Sequence, residues 1–265
     1  MTSTIACINL TGRQPWEASS VRLLIAIPTF NEIKHVEGVL GRVIGFHPDV
    51  LVIDDGSTDG TVELLARRRD IQLIRHPKNQ GYGQSLIDAF NYADRKRYDW
   101  VITIDCDEQH EPERIIDFLA SIRADKWDLI SGSRYLQPSQ DDDLPPSDRR
   151  SINATITALL NETFNMKLTD AFCGFKAHRV SAMRKLRLTE MGYAFPLQLW
   201  PQAIRAGLRI TEIPVRLIYN DPSRRFGGVL DDAAHRLQHY LSVFNAEMAV
   251  PVDAGQPEKV PCPCC

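Results

Sequence analysis

Two carboxylates separated by one residue, Asp105 and Asp107, are the side chains in this sequence best suited to chemistry. They follow an apolar run, and their oxygens are ligands of the kind that Mg²⁺ or Mn²⁺ prefers when it bridges a diphosphate. Gln109 or His110 could complete the coordination sphere. The alternative is that these acids cap the helix that begins near Pro112. Three acids, a glutamine and a histidine within seven residues would repel one another unless a cation or solvent compensated, which favours the metal site.

A second acidic pair, Asp54 and Asp55, also follows an apolar run and leads into a turn of small residues. The spacing partly fits a calcium loop, but its twelfth position is Ala66, where a bidentate glutamate is required. We therefore expect Asp54 or Asp55 to accept hydrogen bonds from a base or ribose, with turn formation alone as the alternative. Asp59 is interpreted as structural, since an acid there can cap the next helix.

Gly81 belongs to a glycine-rich segment that follows the basic residues 75–78. Such a segment can approach a phosphate at a helix N-terminus, although a plain turn at the start of a helix explains it equally well. It matches neither the dinucleotide-binding fingerprint nor the phosphate loop of ATPases, so dehydrogenase and ATPase functions lack their main support.

Two arginine pairs, Arg149 with Arg150 and Arg224 with Arg225, lie on segments rich in proline or glycine. Guanidinium groups bind phosphate oxygens in a bidentate manner, so each pair could meet an acceptor phosphate or a departing diphosphate. The alternative is that each pair is simply solvated.

Apolar strand-like runs alternate with helical periodicity through the first half of the chain, which predicts a mostly parallel α/β sheet with helices on both faces. Functional residues are then expected beyond the carboxyl ends of the strands. A polar, proline-flanked loop is expected at 137–147. The predicted strands are 22–28, 50–53, 71–75, 100–104, 128–132 and 208–217. Asn31 can cap the first predicted helix, which ends at 45. The other predicted helices are 59–69, 80–97, 112–124, 151–165, 196–206 and 229–246.

Length and composition indicate one large domain of 265 residues with ordinary hydrophobic content. A net charge of −3 gives no support to nucleic-acid binding. The start of the chain lacks a secretory signal, so we expect a cytoplasmic location, with reduced core cysteines. We divide the chain into a lead-in (1–21), a catalytic domain (22–248) and a disordered tail (249–265). Within the domain we expect a donor half (22–135), an acceptor-side half (136–228) and a C-terminal helix (229–248).

Taken together, several motifs resemble family 2 glycosyltransferases, and their order and spacing match throughout residues 22–228. The similarity is strongest to the branch that resembles dolichol-phosphate mannosyltransferases. The motifs are IPTFNE (27–32), DDGSTDGT (54–61), NQGYG (79–83), DCDEQHEPE (105–113), GSRY (132–135), DAFCGFK (170–176), GYAF (192–195) and EIPV (212–215).

This resemblance implies a GT-A fold and an inverting, metal-dependent transfer of mannose or glucose from a GDP- or UDP-sugar to a polyprenyl phosphate. Peripheral contact with the inner face of the membrane would then be expected. The implied roles are as follows: Pro28, Asn31, Glu32, Asp54, Asp55, Gly81 and Asp105 bind the donor; Asp105, Asp107 and Gln109 hold Mg²⁺ or Mn²⁺; Asp107, Arg134 and Arg150 are catalytic; and Arg149, Arg150, Gln198, Arg224 and Arg225 meet the acceptor.

The chain departs from the family pattern at Gln198, where some relatives carry an acid, and at residues 220–225. A neutral amide cannot act as a general base, but an anionic acceptor phosphate needs none. Two alternatives stay open: transfer to a soluble hydroxyl acceptor, and a non-catalytic module that binds nucleotide sugars.

Overall fold

Strands and helices alternate through residues 21–221 and 225–251, which are the part of the chain that the computed structural model describes. The strands are β1 (Leu23–Thr29), β2 (Val50–Asp54), β3 (Gln72–Arg75), β4 (Trp100–Thr103), β5 (Leu129–Ser133), β6 (Lys176–Arg179) and β7 (Ile210–Pro214). The helices are α1 (Val36–Phe46), α2 (Thr61–Leu65), α3 (Tyr82–Arg95), α4 (Ile115–Arg123), α5 (Ser147–Phe164), α6 (Val180–Met183), α7 (Phe195–Arg205) and α8 (Ala233–Ala249). Short 3₁₀ helices at Pro112–Arg114 and Gly228–Asp231 precede α4 and α8.

These strands form one sheet in the order β3-β2-β1-β4-β6-β5-β7. β6 runs antiparallel to β4 and β5, and the other pairings are parallel. The expected mostly parallel α/β fold is therefore confirmed. Because parallel strands end at the same edge, the chain leaves β1, β2, β3, β4 and β5 at one edge of the sheet. β6 begins at that edge, since it points the other way.

Apolar side chains on the two faces of the sheet pack against two sets of helices. On β1, Leu24 and Ala26 face a layer that includes α3, α5, α7 and α8, whereas Ile25 and Ile27 face a layer that includes α1 and α4. Strands buried on both faces read as continuous apolar runs, which explains why the sequence showed them clearly. No helix in the described ranges is long and apolar enough to cross a membrane.

Three local differences from the sequence-based expectation lie near the carboxyl ends of the strands or in the strand between β4 and β5. β6 was not predicted, because its sequence KAHR has no apolar run. Helix α5 begins at Ser147 rather than at 151, so Arg149 lies on its first turn. The side chain of Asn31 was expected to cap the first helix, but its oxygen accepts a hydrogen bond from the Thr58 amide at 2.8 Å, and α1 begins only at residue 36.

Candidate active site

A cleft of about 510 Å³ opens where the parallel strands end. Loops after β1, β2, β4 and β5 supply one part of its wall, and the start of α5 and the segment before α8 supply another. Most of the side chains singled out from the sequence line this cleft: Pro28, Glu32, Asp55, Gly81, Asp105, Asp107, Gln109, Arg134, Arg149 and Arg225.

The acid pair lies just beyond β4, and neighbouring side chains fix its first member. The Tyr82 hydroxyl donates to Oδ1 of Asp105 at 3.0 Å, and Nε2 of His110 lies 3.3 Å from its Oδ2. His110 is itself buried and packs against Phe175, with ring centroids 5.4 Å apart. The backbone amide of Gln109 donates to Oδ1 of Asp107 at 3.1 Å. The residues 105–110 thus form a folded turn that presents carboxylates to the cleft rather than a cap on α4.

The two carboxylates have different proton affinities. Burial would raise the pKa of Asp105, but the contacts with His110 and Tyr82 outweigh it and lower this pKa. Burial raises the pKa of Asp107 to about 6, and the negative charge of Asp105 adds to this. A second negative charge is therefore costly in this turn, which is the electrostatic situation that a bound cation relieves.

The antiparallel strand β6 completes the site because the chain that leads into it crosses the same edge. A Cβ atom on Gly174 would lie 2.2 Å from Oδ2 of Asp105, so a side chain at this position would have to displace the carboxylate. The Thr103 hydroxyl donates to the Gly174 carbonyl at 2.8 Å. The CGF part of the DAFCGFK motif therefore serves to bring the backbone against the acid pair.

Arg134, at the end of β5, is held in the cleft by a buried carboxylate. Its Nε and Nη2 donate to Asp170 at 2.7 and 2.9 Å, and Asp170 also accepts from the side-chain amide of Asn153 at 2.8 Å. Burial opposes the charge of Asp170, but Arg134 outweighs it, so the pKa of Asp170 lies far below its usual range. A fully buried carboxylate of this kind must keep its cation, so the pair fixes where Arg134 points.

Asp55 lines the cleft, but its oxygens hold the protein backbone. It accepts from the amides of Gln80 and Gly81 at 2.7 and 2.9 Å. Nδ1 of the buried His76 lies 2.7 Å from Asp55, and its Nε2 lies 3.0 Å from Asp88. These two carboxylates raise the pKa of His76 to about 9, so the ring is an imidazolium at neutral pH. Asp55 and His76 together therefore fix the glycine-rich turn.

Aromatic rings connect the acid pair to Arg149, and no role was predicted for these rings. Tyr82 stacks on Tyr193 with centroids 5.9 Å apart, and Tyr193 meets Phe226 edge-on at 5.2 Å. The guanidinium carbon of Arg149 lies 4.7 Å from the Phe226 ring centroid. Both tyrosines stand inside the quoted motifs GYG and GYAF, which is the signal that could have identified them. Arg236 of α8 also lines the cleft, but a single arginine on an amphipathic helix gives no such signal.

Other predicted site residues lie elsewhere or outside the described ranges. Asn31 is exposed and bonded to the turn after β2, and Arg150 is exposed on α5. Asp54 is fully buried, with both carboxylate oxygens lacking a hydrogen-bond partner among the described residues. Gln198 lies on α7 and bonds to the chain at 189–190. Arg224 and the cysteines at both ends of the chain fall outside the described residues, whereas Cys106 and Cys173 are buried free thiols.

The residues present fit a divalent cation that keeps part of its coordination for other ligands. In residues 21–221 and 225–251, no three His, Cys, Asp or Glu side chains form a group that could enclose a metal. Asp105 and Asp107 offer two carboxylates, and the Gln109 side-chain amide has a buried nitrogen without a protein partner in these ranges, so this amide can turn toward a ligand. Mg²⁺ commonly binds through one or two carboxylates, substrate phosphates and waters, and this donor set suits that mode.

The fold is of the GT-A type, as comparison with solved structures shows. Glucosyl-3-phosphoglycerate synthase from Mycobacterium tuberculosis, solved with Mg²⁺ and uridine diphosphate, superposes with a TM-score of 0.66 at 19% identity, over 89% of this chain and 82% of the other. The same enzyme solved with Mn²⁺, UDP-glucose and phosphoglyceric acid gives a TM-score of 0.63 at 17% identity.

The sequence comparisons define the family. The model of Glycosyl transferase family 2 matches residues 24–187. The undecaprenyl-phosphate mannosyltransferase of Micrococcus luteus is 30% identical over 80% of this chain and 91% of its own length. The polyprenol monophosphomannose synthase of Mycolicibacterium smegmatis is 30% identical over 73% and 76%. The chain belongs to glycosyltransferase family 2, is a glycosyltransferase, and resembles the polyprenyl-phosphate mannosyltransferase branch, as the sequence motifs predicted.

Proposed function

We propose that this enzyme transfers a hexose from a nucleoside-diphosphate sugar to a polyprenyl phosphate, with inversion at the anomeric carbon. The observation that carries the proposal is the continuous cleft wall of Tyr82, Tyr193 and Phe226, which links the acid pair to Arg149. One cleft thus offers both a site for a metal-bound diphosphate and an arginine with apolar rings for a phosphorylated lipid. The names of the two 30% identical relatives support a lipid-phosphate acceptor and favour mannose as the sugar.

On the donor side, residues 22–135 would bind the nucleotide sugar. Pro28, Glu32 and Asp55 line the cleft beside the turn that Gly81 begins, and Asp105, Asp107 and Gln109 would hold Mg²⁺ or Mn²⁺. A bound cation would neutralise the charge that develops on the departing diphosphate. The raised pKa of Asp107 supports this arrangement, because a nearby positive charge would stabilise the ionised form of this carboxylate.

On the acceptor side, residues 136–228 and the following helix would bind the lipid phosphate. Arg149, Arg225 and Arg236 line the cleft, and the buried Arg236 is bonded to the Leu230 carbonyl and to Asp148. Such a group of arginines suits a phosphate monoester, which is dianionic near neutral pH. Because this acceptor is already an anion, its oxygen can attack the anomeric carbon without a protein base.

The proposal is tested by supplying purified enzyme with Mg²⁺ or Mn²⁺, a short polyprenyl phosphate and each of GDP-mannose, UDP-glucose and UDP-N-acetylglucosamine, carrying labelled sugar. Label should enter the organic phase with one donor, and Asp107→Asn should reduce that transfer at least a hundredfold. Asp117→Asn, in a surface ion pair with Arg114 on the same segment, is the matched control and should retain full activity. Donor consumption with label only in the aqueous phase would mean that the sugar is transferred to water, and would contradict the polyprenyl phosphate as the acceptor.

A further inference from the structure

The side-chain amide of Gln198 is hydrogen-bonded at both its oxygen and its nitrogen, although this residue does not line the cleft. Its oxygen accepts from the backbone amides of Thr189 and Glu190 at 2.6 and 2.8 Å. Its nitrogen donates to the Thr189 hydroxyl at 3.1 Å and to the Glu247 carboxylate at 3.2 Å. Both ends of the amide are therefore used, one as an acceptor and the other as a donor.

The segment that Gln198 holds, residues 189–193, packs directly on the donor side of the cleft. The amide of Gln84 donates to the Met191 carbonyl at 3.1 Å, and a Cβ atom on Gly81 would lie 2.3 Å from that same carbonyl oxygen. The segment ends at Tyr193, which stacks on Tyr82, the residue that donates to the first acid of the pair. A shift of this segment would therefore displace the glycine-rich turn and the Tyr82 hydroxyl together.

The other partner of Gln198 lies on the acceptor-side helix. Glu247 on α8 is 7% exposed and also accepts from the side-chain amide of Gln202 at 3.0 Å. Arg205 lies 3.9 Å from its carboxylate. Helix α8 carries Arg236 and Tyr240, which line the cleft. The Gln198 amide thus joins the helix of the acceptor side to the segment that supports the donor side.

We propose that Gln198 is a positioning residue for glycosyl transfer, which holds the donor-side turn in register with the acceptor-side helix through Glu247. An amide suits this role because its oxygen accepts while its nitrogen donates. A carboxylate at 198 would still accept from the two backbone amides, but it would face the buried Glu247 carboxylate at about 3 Å, where like charges repel strongly. The kinetic consequence of this proposal rests on the proposed function, whereas the structural linkage does not.

The test compares Gln198→Glu with the charge exchange Gln198→Glu/Glu247→Gln. In the double variant, the amide at 247 can donate to the carboxylate at 198, so the link is restored in reverse. Gln202→Glu is the matched control, because Gln202 also donates to Glu247 but bonds to the backbone of Arg187 instead of the 189–190 amides. Gln198→Met, similar in length and without hydrogen bonds, serves if the glutamate variant does not fold.

Two measurements are made on each purified protein, together with the midpoint of denaturant unfolding. Hydrogen exchange of the amides in 189–193 and of Gln84, without any ligand, reports the linkage itself. Steady-state kinetics, with whichever of GDP-mannose and UDP-glucose the wild type uses, reports its effect on the reaction.

We expect Gln198→Glu to exchange these amides at least tenfold faster and to raise the donor KM at least fivefold with kcat within threefold. The double variant should return both values to within twofold of wild type. Gln202→Glu should lower the unfolding midpoint by about as much as Gln198→Glu does. Its amide exchange rates and donor KM should stay near those of wild type. Equal effects of Gln198→Glu and Gln202→Glu, or no rescue by the exchange, would overturn the proposal. If exchange behaves as expected but no lipid product forms, the proposed function fails and the linkage stands.

Discussion

Replacing His76 by glutamine tests the electrostatic support of the glycine-rich turn. His76 is 5% exposed and stands between the carboxylates of Asp55 and Asp88, and the latter also accepts from the side chain of Gln84. A pKa of about 9, compared with 6.5 for an unperturbed histidine, means that the folded protein binds this proton more tightly than the unfolded chain. His76 therefore contributes stability that is complete below pH 6.5 and is lost as the pH rises through 9.

The expected magnitude follows from the size of the shift. A difference of roughly 2.5 pKa units, at 1.36 kcal/mol per unit, corresponds to about 3 kcal/mol of unfolding free energy. The free energy of unfolding, measured by denaturant titration between pH 6 and pH 10, should fall for wild type by up to this amount relative to His76→Gln. The stability difference between the two proteins should be larger near pH 6 than at pH 10 by about this amount.

His47→Gln is the control for the same chemical change. Burial lowers the pKa of His47, so its contribution rises with pH up to 6.5 and is constant above. Its difference from wild type should therefore not change between pH 7 and pH 10. Parallel stability curves for wild type and His76→Gln over that range would refute the assignment of a buried imidazolium clamped by two carboxylates.

Three further predictions concern the acid pair and its surroundings. Gly174→Ala places a methyl group against Asp105 and should lower metal-dependent donor binding at least tenfold in calorimetric titration, whereas Gly45→Ala, whose new methyl group meets no atom within 4 Å, should bind normally; normal binding by both would contradict the close approach. Asp170→Asn leaves the guanidinium of Arg134 without its buried partner and should cost roughly 3–5 kcal/mol in denaturant unfolding, while a loss under 1 kcal/mol would mean that the pair is not essential to the fold. Removal of divalent cations with a chelator should abolish transfer, and added Mn²⁺ or Mg²⁺ should restore it; transfer that persists in chelator would exclude the metal role.

Much of the fold could be predicted from the sequence because most of the sheet is parallel. Strands buried on both faces appear as apolar runs, and the helices between them show their own periodicity. The β6 strand could not be predicted this way. Its lysine, histidine and arginine become strand residues only because β4 and β5 pair with them on both sides, which is a tertiary effect.

The residues of the candidate site that directly follow predicted strands could be predicted, and those from later segments could not. Asp105, Asp107 and Arg134 follow strands β4 and β5, so the rule that ligands meet the carboxyl ends of parallel strands placed them correctly in the cleft. Phe226 and Arg236 come from segments after the sheet, and only the folded chain brings them to the same cleft. Gln198 was predicted at the acceptor site from its position in the sequence. Its side chain instead bonds to the backbone at 189–190 and to Glu247 on α8.

The most direct measurement is transfer of labelled sugar to a short polyprenyl phosphate compared with the corresponding polyprenol, which has a hydroxyl in place of the phosphate. Arginines line the cleft, and an anionic acceptor needs no protein base. We therefore expect rapid product formation with the phosphate and none with the alcohol. Equal transfer to the polyprenol would contradict a phosphate acceptor, because a hydroxyl acceptor needs a general base and the proposed reaction uses none.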